Sequence, residues 1–138
     1  MTADMPLMAS LAEHRLHLGV HMYEVAEALG ITVPTLSAWE HGRRSPRWPH
    51  VIAYGRRVDR RIVVRDGDTV LAEGLYLPAQ LPILRGELGL SQSDVARRLG
   101  GSRGQVGNHE RRAGHQLVTV ERYVTVGLRL QLTHLAAA

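Results

Sequence analysis

The chain has 138 residues and a net charge of +4, its pI is near 10.3, and all 17 of its basic side chains are arginines. This length suits one ordinary domain or two very small ones, and the lack of cysteine excludes disulfides and thiolate metal sites. The apolar runs are too short to cross a membrane, and the N-terminal segment lacks the basic start and apolar run of a signal peptide, so we expect a soluble, cytoplasmic protein.

Helix signals fill the first part of the chain. A first helix is expected to end at Gly19, because glycine is favoured just past a helix end. Residues 22–29 place apolar side chains at the spacing of one buried helix face, and Gly30 then interrupts the pattern. These signals predict two short helices in succession.

A third and a fourth helix follow. Thr32 can cap a helix that has Pro34 in its first turn, where a missing N–H costs little. This third helix would bury Leu36 and Trp39. Residues 49–58 then predict a fourth helix.

The middle and the end of the chain carry strand signals. Runs 60–65 and 69–73 are rich in branched residues, and Asp-Gly-Asp at 66–68 separates them, which predicts a β-hairpin. Residues 128–133 alternate apolar and polar side chains and predict a third strand of this sheet, although a helix continuing to His134 is the alternative. A shared sheet would hold the two halves together. Without it, the halves would be two separate units joined by a linker.

The first third of the chain recurs in its second half. Residues 11–42 align without a gap with residues 81–112, and nine of these 32 positions are identical. The identical pairs are Leu11/Leu81, Arg15/Arg85, Leu18/Leu88, Gly19/Gly89, Val25/Val95, Ala26/Ala96, Leu29/Leu99, Gly30/Gly100 and Glu40/Glu110. The positions expected to face outward differ, as in two copies of one scaffold that hold different surfaces.

The second copy has clear helix-start signals of its own. Ser91 with Asp94, and Ser102 with Gln105, have the spacing of capping boxes. Residues 118–126 predict a further helix at its end.

These residues resemble the Cro/C1-type (XRE-like) helix-turn-helix family. The resemblance covers residues 7–58 and 78–127, and the whole chain is similar to small immunity repressors of temperate actinobacteriophages. The resemblance rests on Gly19 and residues 24–32 and 36–42 in the first copy, and on residues 90–92 and 94–100, Val106 and Glu110 in the second.

The resemblance implies a mainly α fold of two tandem four- to five-helix units joined by a short β-hairpin. The first unit would span residues 1–60, the hairpin and linker 61–77, and the second unit, with its C-terminal strand or helix, 78–138. An arginine and a glutamate have the same separation in both copies, as Arg15 with Glu40 and Arg85 with Glu110. The resemblance implies structural ion pairs between the first and third helices; the alternative is two exposed charges repeated by accident.

In this family the third helix lies in the DNA major groove and the N-terminus of the second helix meets phosphate. The resemblance implies base-facing positions at Thr32, Val33, Pro34, Thr35, Ser37 and Ala38, and at Arg103, Gly104, Gln105, Gly107 and Asn108. It implies phosphate contacts from His41, Arg43, Arg44 and Arg47, and from Ser91, Gln92, Arg111 and Arg112.

The two sets of base-facing residues differ in chemistry. Arg103 can donate to guanine, and Asn108 or Gln105 can read adenine, whereas the first set is mostly apolar or short and suits thymine methyl groups. Two features depart from the family pattern. Met22 stands where a phosphate-binding glutamine is usual, and the glycines at 104 and 107 weaken the second recognition helix by about 1 kcal/mol each.

A second basic feature also favours a nucleic acid. Eight arginines and only one acidic residue lie between Arg43 and Arg65, and guanidinium groups match phosphates and guanine edges well. A GC-rich genome would explain the choice of arginine over lysine, but not this clustering.

Catalysis and cofactors find little support in the sequence. His14, His17 and His21 could gather on one helix face like metal ligands, but Gly19 interrupts that helix. No nucleophile-and-base set has an identifiable context. We therefore expect no metal, no cofactor and no enzymatic activity.

The leading hypothesis is a sequence-specific transcriptional repressor that binds a double-stranded DNA operator, with a phage immunity role. One chain would read an asymmetric operator through two different recognition helices, as a monomer or a weakly self-associating protein in the host cytoplasm, with no membrane partner. The alternatives are a host transcriptional regulator and an antitoxin or adaptor-type interaction module. An acidic partner protein would also suit the arginine-rich stretch.

Overall fold

The computed structural model describes residues 5–112 and 114–137. The elements of the first half are α1 (Leu7–His17), α2 (Met22–Leu29), α3 (Val33–Glu40), α4 (Trp48–Arg57), β1 (Arg60–Asp66) and β2 (Thr69–Glu73). Those of the second half are α5 (Leu77–Glu87), α6 (Gln92–Leu99), α7 (Arg103–Arg111), α8 (Leu117–Arg122), a π-helical turn (Tyr123–Gly127) and β3 (Gln131–Ala136). The protein is mainly helical with one small antiparallel sheet, as predicted.

Helices α2, α3, α6 and α7 begin or end at the residues that the local signals indicate. Helix α2 ends at Gly30 and α6 at Gly100, with φ of +69° and +73°, a left-handed conformation that glycine adopts without a steric penalty. The hydroxyl of Thr32 accepts a hydrogen bond from the backbone N–H of Thr35 at the start of α3. Ser102 does the same for Gln105 at the start of α7.

The sheet has the strand order β2-β1-β3, with every neighbouring pair antiparallel. The predicted hairpin and the third strand are confirmed, but the predicted bounds 128–133 are wrong, and so is the alternative of a helix to His134. Leu128 is buried after the π-helical turn, and Arg129 adopts a φ of +57°. Because this conformation redirects the backbone, pairing with β1 begins only at Gln131.

The last helix is also less regular than predicted. The interval 118–126 was expected to be one α-helix, whereas α8 ends at Arg122 and the next five residues form a π-helical turn. Gly127 lies so close to α6 that an added Cβ would stand 3.0 Å from Cγ1 of Val95. The turn therefore packs directly against the second half's helices.

A single apolar core connects the two halves through the sheet. Leu11 and Leu36 come from the first half, Leu81 and Val120 from the second, and Ile62 from the central strand, and each is almost fully buried. Burial of apolar surface of this kind contributes most of the folding free energy. No helix among the described residues is both long and apolar enough to span a membrane.

A histidine of β3 joins α1 to the sheet. Nδ1 of His134 accepts a hydrogen bond from Nε of Arg60 at 2.8 Å, and its Nε2 lies 2.7 Å from the hydroxyl of Ser10. The neutral imidazole can accept at Nδ1 while it donates at Nε2. Burial, together with the nearby Arg60 and His14, lowers the pKa of His134 to about 4.

Acidification is expected to destabilise the protein through His134. The unfolded chain takes up a proton near pH 6.5, whereas the folded one resists it until about pH 4, so the stability present above pH 6.5 is lost as the pH falls through this window. The shift corresponds to roughly 3 kcal/mol. Urea unfolding at pH 7, 5.5 and 4 measures it.

His134→Gln should flatten this decline, and His17→Gln at an exposed position of α1 should retain it. Equal pH dependence in the wild type and His134→Gln would refute the assignment.

Candidate DNA-binding interface

In the first half, a tight turn joins α2 to α3. The backbone N–H of Ile31 donates to the carbonyl of Ala26 at 3.0 Å and closes the end of α2. Thr32 then begins α3, and the two threonine hydroxyls of its first turn, Thr32 and Thr35, lie 2.9 Å apart. Leu36, fully buried on the inner face of α3, anchors the helix and sets which side faces outward.

The residues predicted to face bases lie on the outer side of α3. Thr32, Val33 and Pro34 are exposed, and the rest of the set, Thr35, Ser37 and Ala38, is partly exposed. Val33 is a large apolar side chain with 40% of its surface exposed. The sequence-based set therefore forms one surface.

The four residues predicted to bind phosphate after α3 are also exposed, namely His41, Arg43, Arg44 and Arg47. Nδ1 of His41 lies 2.8 Å from the carbonyl oxygen of Ser37, and Arg43 donates to the Ser37 hydroxyl at 3.5 Å. These contacts keep the side chains of His41 and Arg43 beside the outer face of α3.

The second half has the same order of elements around α6 and α7. Ser91 caps α6 in a reciprocal box with Asp94, and Ser102 caps α7 in a box with Gln105. In the second box the side-chain oxygen of Gln105 accepts from the backbone N–H of Ser102 at 2.8 Å. The amide of Gln105 thus stabilises the helix start, and reading a base would require that bond to open.

The remaining predicted reading residues of α7 differ in availability. Arg103 is exposed, and its side chain forms no hydrogen bond with any described residue. Asn108 is exposed, but its side-chain oxygen accepts from Arg111 at 2.9 Å. Gly104 is exposed, whereas Gly107 is buried.

Gly107 is covered by two residues of the predicted phosphate set. A Cβ added there would stand 3.1 Å from Nη1 of Arg111 and 3.6 Å from the side-chain oxygen of Gln92. The amide nitrogen of Gln92 donates to Glu110 at 2.9 Å. Base contact at Gly107 would require these side chains to move. Arg112, another residue of the predicted phosphate set, is exposed.

Both predicted ion pairs are present between the first and third helices of each half. Arg15 donates to both carboxylate oxygens of Glu40, at 3.0 and 2.9 Å, and Arg85 donates to both of Glu110, at 2.7 and 3.2 Å. This bidentate geometry fits a guanidinium and a carboxylate. The alternative of accidental exposed charges is wrong, because the two glutamate side chains are 4% and 6% exposed.

A tyrosine completes each pair, and the sequence reasoning missed both. The hydroxyl of Tyr54 donates to Glu40 at 2.5 Å, and that of Tyr123 donates to Glu110. The separation of the two tyrosines is one position shorter than the offset of the gapless alignment, so that alignment could not match them. Allowing a one-residue gap after residue 112 would have aligned them.

The electrostatics of these clusters keep the charges in place. Burial, and then hydrogen bonding to the carboxylate, raises the pKa of Tyr54 and of Tyr123. Burial would raise the pKa of Glu110, but hydrogen bonds from Arg85, Tyr123 and Gln92 outweigh it and lower this pKa. Both tyrosines therefore remain neutral donors, and the carboxylate of Glu110 remains ionised.

The arginine-rich stretch is divided by the fold. Arg60 donates to His134, Arg65 donates to the side chain of Gln131 at 2.7 Å, and Arg61 pairs with Glu73 at 3.2 Å. These three arginines stabilise the sheet, so the basic surface near α3 is smaller than the sequence indicated.

Two histidine rings pack together at the end of α7, His109 from the helix itself and His115 from the segment that follows it. The ring of His109 packs 4.5 Å from the ring of His115 and 4.9 Å from that of Tyr123. Both ring nitrogens of His109 are buried without a hydrogen-bond partner in the described structure. Burial and the neighbouring His115 lower the pKa of His109, so we assign it a packing role.

The other candidate histidines are dispersed. His14 faces the ring of His134 at 5.8 Å, and His21 stacks on Tyr23. Within residues 5–112 and 114–137, no group of three or more His, Asp or Glu side chains could hold a metal ion.

Comparison with known proteins finds a family match in the first half of the chain. Residues 11–53 match the helix-turn-helix family model. The match runs from α1 into α4 and supports the predicted Cro/C1 type for the first half. This helix-turn-helix unit indicates a DNA-binding transcription regulator. No curated protein and no solved structure matches the chain.

Proposed function

We propose that this protein is a sequence-specific transcriptional repressor in which one chain reads an asymmetric DNA operator through two different recognition helices, α3 and α7. The observation that carries the proposal is the exposed outer face of α3 within the helix-turn-helix unit, with cationic side chains beside it. A helix presented in this way fits the DNA major groove, and neighbouring cations bind phosphate.

The second half supports a second reading unit. Arg15 donates to the carbonyl of Val20 at 2.9 Å, and Arg85 donates at the same distance to the carbonyl of Leu90, the equivalent residue of the second half. Together with the Arg–Glu–Tyr clusters, this repeats the main polar contacts that hold α3 on its scaffold. We therefore propose a tandem duplication, with the units at 1–60 and 78–138.

The two recognition helices would each contact different bases of the operator. On α7 the unengaged Arg103 suits a guanine, and Asn108 can read a base once Arg111 turns to phosphate. On α3 the exposed Val33 and Pro34 suit thymine methyl groups. The different chemistry of the two faces supports different half-sites.

The proposed role is binding, with no catalysis and no cofactor. A monomer that covers promoter elements would repress transcription by steric exclusion of the polymerase. Because the sequence resembles small immunity repressors of temperate phages, control of lysogeny is the setting that we propose.

Alanine substitutions on and beside the recognition helices test this function. With an operator selected from random duplex DNA, Arg103→Ala should weaken binding about 5- to 150-fold, equivalent to about 1–3 kcal/mol, and relax preference at one position. Arg44→Ala should weaken binding to all sequences by a similar factor and reduce its salt dependence. Fluorescence anisotropy at several salt concentrations measures both effects.

Glu87→Ala, at an exposed position at the end of α5, is the control for nonspecific charge effects and should leave sequence preference unchanged. Binding that is indifferent to sequence would contradict the proposed function and favour an interaction module for an acidic protein.

A further inference from the structure

The pairing of β1 with β3 is centred on equivalent residues of the two halves. Val63 pairs with Thr133. These two residues are separated in the sequence by the same number of positions as residues 11 and 81, which the gapless alignment matches. On either side of this pair, Ile62 faces His134 and Val64 faces Leu132, and the antiparallel ladder continues for three pairs toward Arg60 and for two pairs toward Arg65. Each strand thus presents the same positions to the other.

A second contact between the halves has the same property. In the segments that precede α4 and α8, Arg47 forms a bridge with Gln116, and the offset of this pair equals that of Tyr54 and Tyr123. The backbone N–H of Trp48 donates to the carbonyl of His115 at 2.9 Å. Its counterpart, the N–H of Leu117, donates to the carbonyl of Pro46 at 2.8 Å.

The offset is the sequence separation between equivalent residues of the two halves. It becomes one residue shorter before α8 and returns to its original value before β3, and both changes have a structural origin. Counted from the equivalent residues Glu40 and Glu110, the path to the start of α4 is one residue longer than the path to the start of α8. The π-helical turn after α8 adds one residue before β3, which restores the original offset. Asp59 and Arg129, equivalent at this offset, then share a φ of +57° just before their strands.

Contacts in which a residue meets its own equivalent are produced by a two-fold axis, whereas a head-to-tail arrangement pairs different surfaces. Both contacts therefore indicate an approximate two-fold axis that relates the halves, as in a dimer contained within one chain. The shared core and sheet hold this arrangement in one body.

The consequence concerns the DNA target. We infer that α3 and α7 meet the duplex in opposite strand directions, so that the operator is an inverted pair of two different half-sites at a fixed spacing. This inference rests on the proposed DNA-binding function of both halves. A two-fold arrangement of readers requires a two-fold arrangement of the DNA backbone, even where the bases differ.

A chain with two identical reading faces tests the inference. Ser102→Thr, Arg103→Val, Gly104→Pro, Gln105→Thr, Gly107→Ser and Asn108→Ala together place the predicted base-facing residues of α3 on α7. Selection from random duplexes of about 30 bp, or about three helical turns, should then yield a palindrome. The reciprocal variant, with the residues of α7 on α3, should yield a different palindrome and provides a second test if the first fails to fold.

The outcomes distinguish the two levels of the proposal. A direct repeat, or a motif of a single half-site, would overturn the inverted arrangement while leaving DNA binding intact. Failure of the wild-type chain to select any sequence would instead refute the proposed function. On the wild-type operator, five extra base pairs between the half-sites should lower affinity at least tenfold, because they rotate one half-site away; an unchanged affinity would overturn the fixed spacing.

Discussion

Replacing Arg15 with alanine is expected to lower the free energy of unfolding by roughly 3–5 kcal/mol, because the change leaves the carboxylate of Glu40 buried without its cation. Both side chains of this pair are almost completely buried, at 6% and 4% exposure. Tyr54 would remain as a donor to Glu40, but a neutral hydroxyl does not balance the charge.

Urea unfolding at pH 7 measures this loss, and the chain supplies two matched comparisons. Arg85→Ala should cost less than Arg15→Ala, since the Arg85 side chain is 18% exposed and water can partly solvate Glu110 after the change. Arg61→Ala removes an ion pair whose side chains are 40% and 48% exposed, and it should cost less than about 1 kcal/mol. Equal losses in Arg15→Ala and Arg61→Ala would contradict a structural role for the buried pair.

The second large effect is expected at Gly55, where α4 passes over β1. A Cβ at this position would lie 2.8 Å from the carbonyl oxygen of Arg60 and 3.2 Å from Cδ1 of Ile62. The oxygen belongs to the backbone of a central strand that pairs with β3 at Ala136, so it cannot move away independently. Gly55→Ala should therefore destabilise the protein by up to about 3 kcal/mol, as overpacking of a core does.

Gly86 provides a control with the opposite sign. It lies inside α5, and a Cβ there would have open space around it. Gly86→Ala should stabilise the protein by about 0.5–1 kcal/mol, because alanine has the higher helix propensity. Thermal and urea unfolding of both variants check the pair. Stabilisation by Gly55→Ala would show that the helix and the strand are not in close contact.

Much of the local structure could be predicted from the sequence because its determinants are local. Helix α2 has the predicted bounds, and Thr32 and Ser102 cap the helices that their spacing indicated. A cap depends on a hydroxyl and a nearby backbone N–H, and both lie in one short segment. The ion pairs were predictable for a related reason, since the same separation of arginine and glutamate is repeated in both halves.

The exposure of most candidate residues was predictable, but the hydrogen bonds of their side chains were not. Arg103 and Val33 are exposed as expected, whereas Gln105, Asn108 and Gln92 already hold partners within the protein. The sequence lists possible donors and acceptors, but it does not show which of them the packed helices bring together.

The order of the elements, the recurring residue pattern and the charged residues of the two ion pairs could all be predicted from the amino-acid sequence. Three features are visible only in the folded protein: Tyr54 and Tyr123 join the ion pairs, Arg60, Arg61 and Arg65 bind residues of the sheet, and Val63 of β1 pairs with Thr133 of β3. The difference lies in how far apart in the chain the interacting residues stand. Periodicity and capping act over short segments, whereas these contacts join segments that are distant in the chain and meet only when the sheet and core form.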